Sequence, residues 1–249
     1  MSGHSKWSTI KRKKGKIDAQ RGRIFTRLIR EIIIAAREGG GDIEANPRLR
    51  TAVDSAKSNN MPQDNIKRAI ARGTGELPGT NYEAQSYEGY GPGGVALLME
   101  ALTDNKNRTT AELRHILGKH GGSMGEAGCV SWMFESRGLI VVEKGKIGDD
   151  AILEAAIEAG AEDVDLEQEQ VYEVTTALAE LDIVARSMRG RGVEIESVQV
   201  IKVPSTQSHP GEKELEQYIR LRQALEEQDD IQAVHDNLDV PEDVLERYL

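Results

Sequence analysis

The sequence predicts an α+β protein of three domains: an N-terminal helical bundle and two α/β domains, the third ferredoxin-like and inserted into the second. Three observations carry that reading. Apolar residues recur at helical spacing as far as residue 73, and in strand-like segments with many glycines from Tyr82 onward. Residues 136 to 204 follow the element order β-α-β-β-α-β of a split βαβ unit. Residues 205 to 249 are too few to build a core alone, so they are expected to return and complete the domain begun at residue 80. The predicted domains are therefore 1–76, 80–135 with 205–249, and 136–204.

The first domain is basic although the chain is acidic. Residues 1 to 75 hold 17 Lys and Arg against 7 Asp and Glu, a net charge of +10 in a chain of net charge -10, which leaves -20 for the remainder. Residues 1 to 17, with the run Lys11-Arg12-Lys13-Lys14 and no apolar periodicity, read as a mobile basic arm. Asp18 is placed to cap a helix running to about residue 38, with Phe25, Leu28, Ile29, Ile32, Ile33 and Ala36 on one face. At about 100° per residue, Arg23, Arg27, Arg30 and Arg37 share the opposite face. Ile34 falls among them, for which the helix alone gives no reason.

After Gly39-Gly40-Gly41, Asn46-Pro47 joins a capping side chain to a proline at the first helical position, and Leu49, Ala52, Val53 and Ala56 form one apolar face. Pro62 opens a third helix with Ile66, Ala69 and Ile70 inward and Lys67, Arg68 and Arg72 outward, closed by Gly73. A linker follows over residues 73 to 79. Thr109-x-x-Glu112 reads as a capping box for a helix from 110 to about 120. Residues 129 to 134, Cys-Val-Ser-Trp-Met-Phe, read as a buried strand. The inserted domain comprises a strand at 139–143, a helix at 150–159, two strands within 163–175, a helix at 177–189 and a strand at 193–203. A charged helix, a short strand near 231–238 and a helical turn after Pro241 complete the chain.

Composition narrows the function. The single cysteine, Cys129, allows no internal disulfide and points to a reducing cytoplasm. No apolar stretch approaches the roughly 18 residues of a membrane span, so no membrane partner is expected. Aromatics at 4% disfavour a platform of several stacked rings. Gly89-Tyr-Gly91-Pro-Gly93-Gly94 spells a dinucleotide fingerprint, and residues 95 to 102 have helical propensity. The segment before it is polar and Pro92 stiffens it, which favours a glycine-rich connection between strands. The five histidines show no metal-ligand spacing, and Cys129 in its apolar run behaves as a small hydrophobe. No catalytic residue, metal or cofactor is expected.

What remains is positive charge. Residues 1 to 30 hold ten basic side chains, Lys6, Lys11, Arg12, Lys13, Lys14, Lys16, Arg21, Arg23, Arg27 and Arg30, against the single acid Asp18. Such a cluster neutralises phosphates and releases counterions, and Trp7 beside it could stack on a base. A second candidate is the polar segment 103–110, read as a loop entering a helix N-terminus. There Asn105, Lys106, Asn107, Arg108 and Thr109, with Arg114, would meet phosphate at exposed backbone N–H groups.

The segments Ser2-Gly-His-Ser-Lys-Trp7, Asp18-Ala-Gln-Arg-Gly22, Asn46-Pro-Arg-Leu-Arg50, Asn60-Met-Pro62 and Asp104-Asn-Lys-Asn-Arg-Thr-Thr110 together resemble the YebC family over essentially the whole chain. Its mitochondrial relatives include a translational activator of cytochrome c oxidase. The resemblance implies the same three-domain fold. It implies either a DNA-binding transcriptional regulator or a translation factor that associates with the ribosome and relieves stalling at proline-rich stretches. A basic arm on an acidic body suits insertion between RNA segments, and no helix-turn-helix or zipper pattern is visible. The expected partner is therefore ribosomal or transfer RNA, with DNA second, and the expected state is a monomer.

Overall fold

The computed structural model describes the backbone of residues 18–249 except 169, 242, 243, 246 and 249, and side chains from Gly22 onward. The predicted basic arm lies outside the described residues. Helix α1 (Asp18–Gly39) already includes Asp18, whose side chain is also outside them. The chain divides into two compact units. One holds the described residues up to Ile34 with Pro78–Glu135 and Lys202–Leu249, and the other holds Ala35–Leu77 and Ser136–Ile201. Among the described residues, no helix is long and apolar enough to cross a membrane.

In the first unit, β1 (Glu83–Tyr90) and β2 (Ala96–Thr103) form an antiparallel hairpin in which Tyr90 pairs with Ala96. The glycine-rich segment is its connection. Pro92–Gly94 makes a single 3-10 turn with Gly93 and Gly94 at φ of 73° and 74°, a region that favours glycine. The predicted helical alternative for residues 95–102 is thus a strand, and the glycines open no helix of their own. β3 (Ser123–Met124) and β8 (Ile231–Asp236) complete a sheet of order β3-β1-β2-β8, so the C-terminal segment returns to this sheet as expected.

Strand β2 is buried on both faces, which explains its continuous apolar run. One face packs Leu97 and Met99 against Leu113 and Leu117 of α4 (Lys106–Lys119) and Tyr218 and Leu221 of α7 (Glu212–Glu227). The other packs Ala96 and Leu98 against Val130 and Phe134. Full burial of each such leucine contributes about 2 kcal/mol.

Two sequence expectations are corrected here. Helix α4 is capped by Asn105, whose side chain accepts from the Arg108 N–H, and not by Thr109. Thr109 lies inside the helix, fully buried, with its hydroxyl donated to Asp230 Oδ2 at 2.7 Å. Residues 129–134 are not a buried strand. The Glu88 carboxylate accepts from the backbone N–H groups of Gly128, Val130 and Ser131 at 2.7, 2.7 and 2.8 Å, which bends the chain into a turn and a 3-10 helix at Ser131–Met133. Strand character begins only at Phe134.

The second sheet contains β4 (Phe134–Glu143), β5 (Asp163–Asp165), β6 (Val171–Ala177) and β7 (Ile195–Pro204) in the order β5-β6-β4-β7. That is the order of a ferredoxin-like split βαβ unit, inserted between β3 and α7 of the first sheet. Helices α5 (Asp149–Ala159) and α6 (Leu181–Gly190) pack Ile152, Ala156, Val184 and Met188 against Ile140, Val142, Tyr172 and Val174. A 3-10 turn at Leu178–Glu180 precedes α6, which therefore starts later than predicted.

The same unit contains α2 (Pro47–Ser58) and α3 (Gln63–Gly73). Asn46 caps α2 through the Leu49 N–H and donates its amide to the Ala35 and Gly40 carbonyls. Ile32 to Ala36 of α1 are all buried, Ile34 among them, so this stretch is covered on every side and not on one face as the periodicity suggested.

Candidate nucleic-acid interface

At the start of α4 two of the predicted phosphate ligands, Arg108 and Thr109, face an internal anion. Asp230, nearly fully buried, accepts from Thr109 Oγ1 at 2.7 Å, Arg108 Nη2 at 2.8 Å and Arg30 Nη1 at 3.0 Å. Burial pushes the Asp230 carboxyl up, but the Arg108 and Thr109 hydrogen bonds and the charges of Arg108 and Arg30 outweigh it and hold the group below its usual range. Arg108 also pairs with Asp104 at 2.9 Å. Lys106 pairs with Glu83 at 2.6 Å, with both side chains about half exposed. Asn105, Asn107 and Arg114 are exposed.

The arginine face of α1 meets the acidic segment 226–230. Arg23 pairs with Glu227 at 3.4 Å in an exposed contact, and Arg27 donates to the Glu226 carbonyl. Arg30 donates to the carbonyls of Asp229 at 2.6 Å and Leu102 at 3.2 Å and lies 5.0 Å from the centre of the Tyr82 ring. Burial lowers the pKa of Arg27. The face predicted from periodicity exists, but its two inner rungs are used within the unit. A polar cleft of about 570 Å³ lies beside them, lined by Arg23, Arg30, Arg108, Asp104, Glu112 and Asp230.

In the other unit, α3 presents Lys67, Arg68 and Arg72, all exposed and, among the described residues, without a carboxylate partner. Arg50, by contrast, is bound to Asp182 at 2.7 Å. The sequence placed the three α3 cations outward, and the helical spacing opposite Ile66 and Ala69 was the signal for their exposure. Lys6, Trp7, Lys11, Arg12, Lys13, Lys14, Lys16 and the Arg21 side chain lie outside the described residues.

Among the described residues, no group of three His, Cys, Asp or Glu side chains could hold a metal ion. The Cys129 thiol is pushed up by burial and by the Glu88 charge, the opposite of what an activated nucleophile needs.

Family models match nearly the whole chain. The TACO1/YebC N-terminal domain covers residues 5–76, and the TACO1/YebC second and third domain covers residues 82–238. The chain belongs to the TACO1/YebC family. A TACO1/YebC relative from Desulfatibacillum aliphaticivorans is 55% identical over 245 residues, spanning 98% of this chain and 99% of its own. One from a Sulfurihydrogenibium species is 54% identical over 248 residues, spanning 99% of each. Both bear the name "probable transcriptional regulatory protein". The crystal structure of a conserved hypothetical protein from Aquifex aeolicus shares the fold with a TM-score of 0.84 and 48% identity, covering 91% of this chain and 93% of that one.

Proposed function

We propose that this TACO1/YebC protein is a non-enzymatic, nucleic-acid-binding regulator of gene expression. In this reading it acts on RNA in translation, in the cytoplasm, and engages ribosomal or transfer RNA through its basic N-terminal residues. The charge segregation carries the reading: ten cations against one acid in residues 1–30, attached to a remainder of net charge -20 beyond residue 75. Cations neutralise phosphates, while the acidic body disfavours indiscriminate contact with polyanions, so binding is confined to one end of the chain. Because Arg27 and Arg30 are used internally, the work falls on the cations before residue 22, on exposed Arg23, and on Lys67, Arg68 and Arg72 of α3.

The names of the relatives favour a second reading, a DNA-binding transcriptional regulator. Sedimentation of a cell lysate at moderate salt, with and without RNase, separates the two. The RNA reading expects the protein in RNase-sensitive ribosomal fractions. Retention on promoter DNA with none in ribosomal fractions would establish the DNA reading instead.

A further inference from the structure

Among the described residues, Trp132 is the most exposed of the large hydrophobic side chains, at 70%, although its neighbours Val130 and Phe134 are buried. It does not swing on a loose loop. The turn beneath it is fixed by the three backbone N–H groups bonded to Glu88, itself only 7% exposed, and by Val130 and Phe134 packed on Ala96 and Leu98. Tyr90, 37% exposed, belongs to the same surface. Its hydroxyl and the Trp132 indole N–H both donate to one acceptor, the Cys129 carbonyl, each at 3.2 Å. Both rings are therefore oriented before any partner arrives, which reduces the entropy lost on binding.

We infer that Trp132 and Tyr90 form a stacking site for an unpaired nucleobase of single-stranded RNA, distinct from the cationic residues above; the assignment rests on the RNA reading. Two features favour a base over a peptide. The polar edge of each ring is spent on Cys129, so what remains to offer is a π face, the sequence-tolerant surface on which bases stack. A proline-rich or extended peptide would need donors for its carbonyl groups, and both ring donors are occupied. A cation for the flanking backbone is offered by exposed Lys119, which ends α4 shortly before Ser123, the residue that pairs with Tyr90. Two rings also agree with the low aromatic content, which disfavours a long row of them.

The test is fluorescence-anisotropy titration of the full chain with a labelled single-stranded RNA octamer of mixed sequence, beside an RNA duplex of equal length. Trp132→Ala is expected to weaken single-strand binding about tenfold, the loss of roughly one stacked base. The slope of log K against log salt should stay unchanged, because stacking releases no counterions. Duplex binding should be unaffected, and Trp132→Phe should keep most of the affinity. Equal affinity in Trp132→Ala, an equal loss on duplex, or a Trp132→Phe variant as weak as Trp132→Ala would overturn the site while leaving the RNA reading intact. Displacement of the RNA by a proline-rich peptide, lost in Trp132→Ala, would assign the rings to peptide instead. A wild-type chain that binds neither RNA would overturn both the site and the functional reading.

Discussion

Helices α1 and α3 each carry cations opposite apolar residues and use them differently. On α1, Arg23, Arg27 and Arg30 stand about a turn apart, and a segment some 199 residues further along the chain returns to meet them with Glu226, Glu227, Asp229 and Asp230. On α3, Lys67, Arg68 and Arg72 meet no carboxylate among the described residues. Helical spacing decides which side chains share a face. Whether that face is left for a ligand depends on what the rest of the chain brings to it.

The contrast is most easily broken at Arg30. Arg30→Glu places a like charge against buried Asp230 and should cost about 3 to 5 kcal/mol of folding stability, read from urea unfolding. The triple change Lys67→Glu, Arg68→Glu and Arg72→Glu should move stability by less than about 0.5 kcal/mol while weakening nucleic-acid binding. If the two substitutions destabilised equally, the distinction between a spent and an open face would fail.

Asp230 sharpens the same contrast through pH. Its folded carboxyl titrates below the ordinary value despite burial, because Arg108, Thr109 and Arg30 favour the anion. Its contribution is therefore complete above the ordinary carboxylate pKa of about 3.9 and is lost as pH falls through that value toward the depressed one. Unfolding curves collected from neutrality downward should show an acid limb in the wild-type chain that is smaller in Asp230→Asn. Identical limbs would remove Asp230 from the account.

A smaller effect separates the two possible caps of α4. Asn105→Ala should cost about 1 kcal/mol, whereas Glu112→Ala, the partner that a Thr109 capping box would need, should leave thermal stability nearly unchanged. The reverse ranking would restore the cap expected from the sequence.

Locally determined features were legible in the sequence. Asn46-Pro47 announces α2 because capping and proline chemistry act within one turn, and the buried faces of α2 and α3 follow directly from their spacing. The βαββαβ order and the returning C-terminal strand were legible too, since each element carries its own periodicity. The failures involve distant partners. Asn105 and Thr109 are both competent caps, and the choice follows from Asp230, 121 residues downstream, taking the Thr109 hydroxyl. Residues 129–134 are apolar enough for a strand, but Glu88, more than 40 residues upstream, collects their N–H groups and turns the chain. The exposure of Trp132 follows from that turn and could not be read from its neighbours. Of the candidate site, the charge segregation was legible, while the engagement of Arg27 and Arg30 required the returning acidic segment.

The central claim is that the N-terminal cations supply the nucleic-acid affinity. Its most direct test is the binding constant for labelled single-stranded RNA measured across a salt series, for the full chain and for a chain lacking residues 2–16. If about six cations reach phosphates, log K should fall against log salt with a slope of roughly -4. Removing Lys6, Lys11, Arg12, Lys13, Lys14 and Lys16 should then weaken binding and make that slope shallower. A deleted chain that binds as tightly with an undiminished slope would contradict the account and move the binding site to the acidic remainder of the molecule.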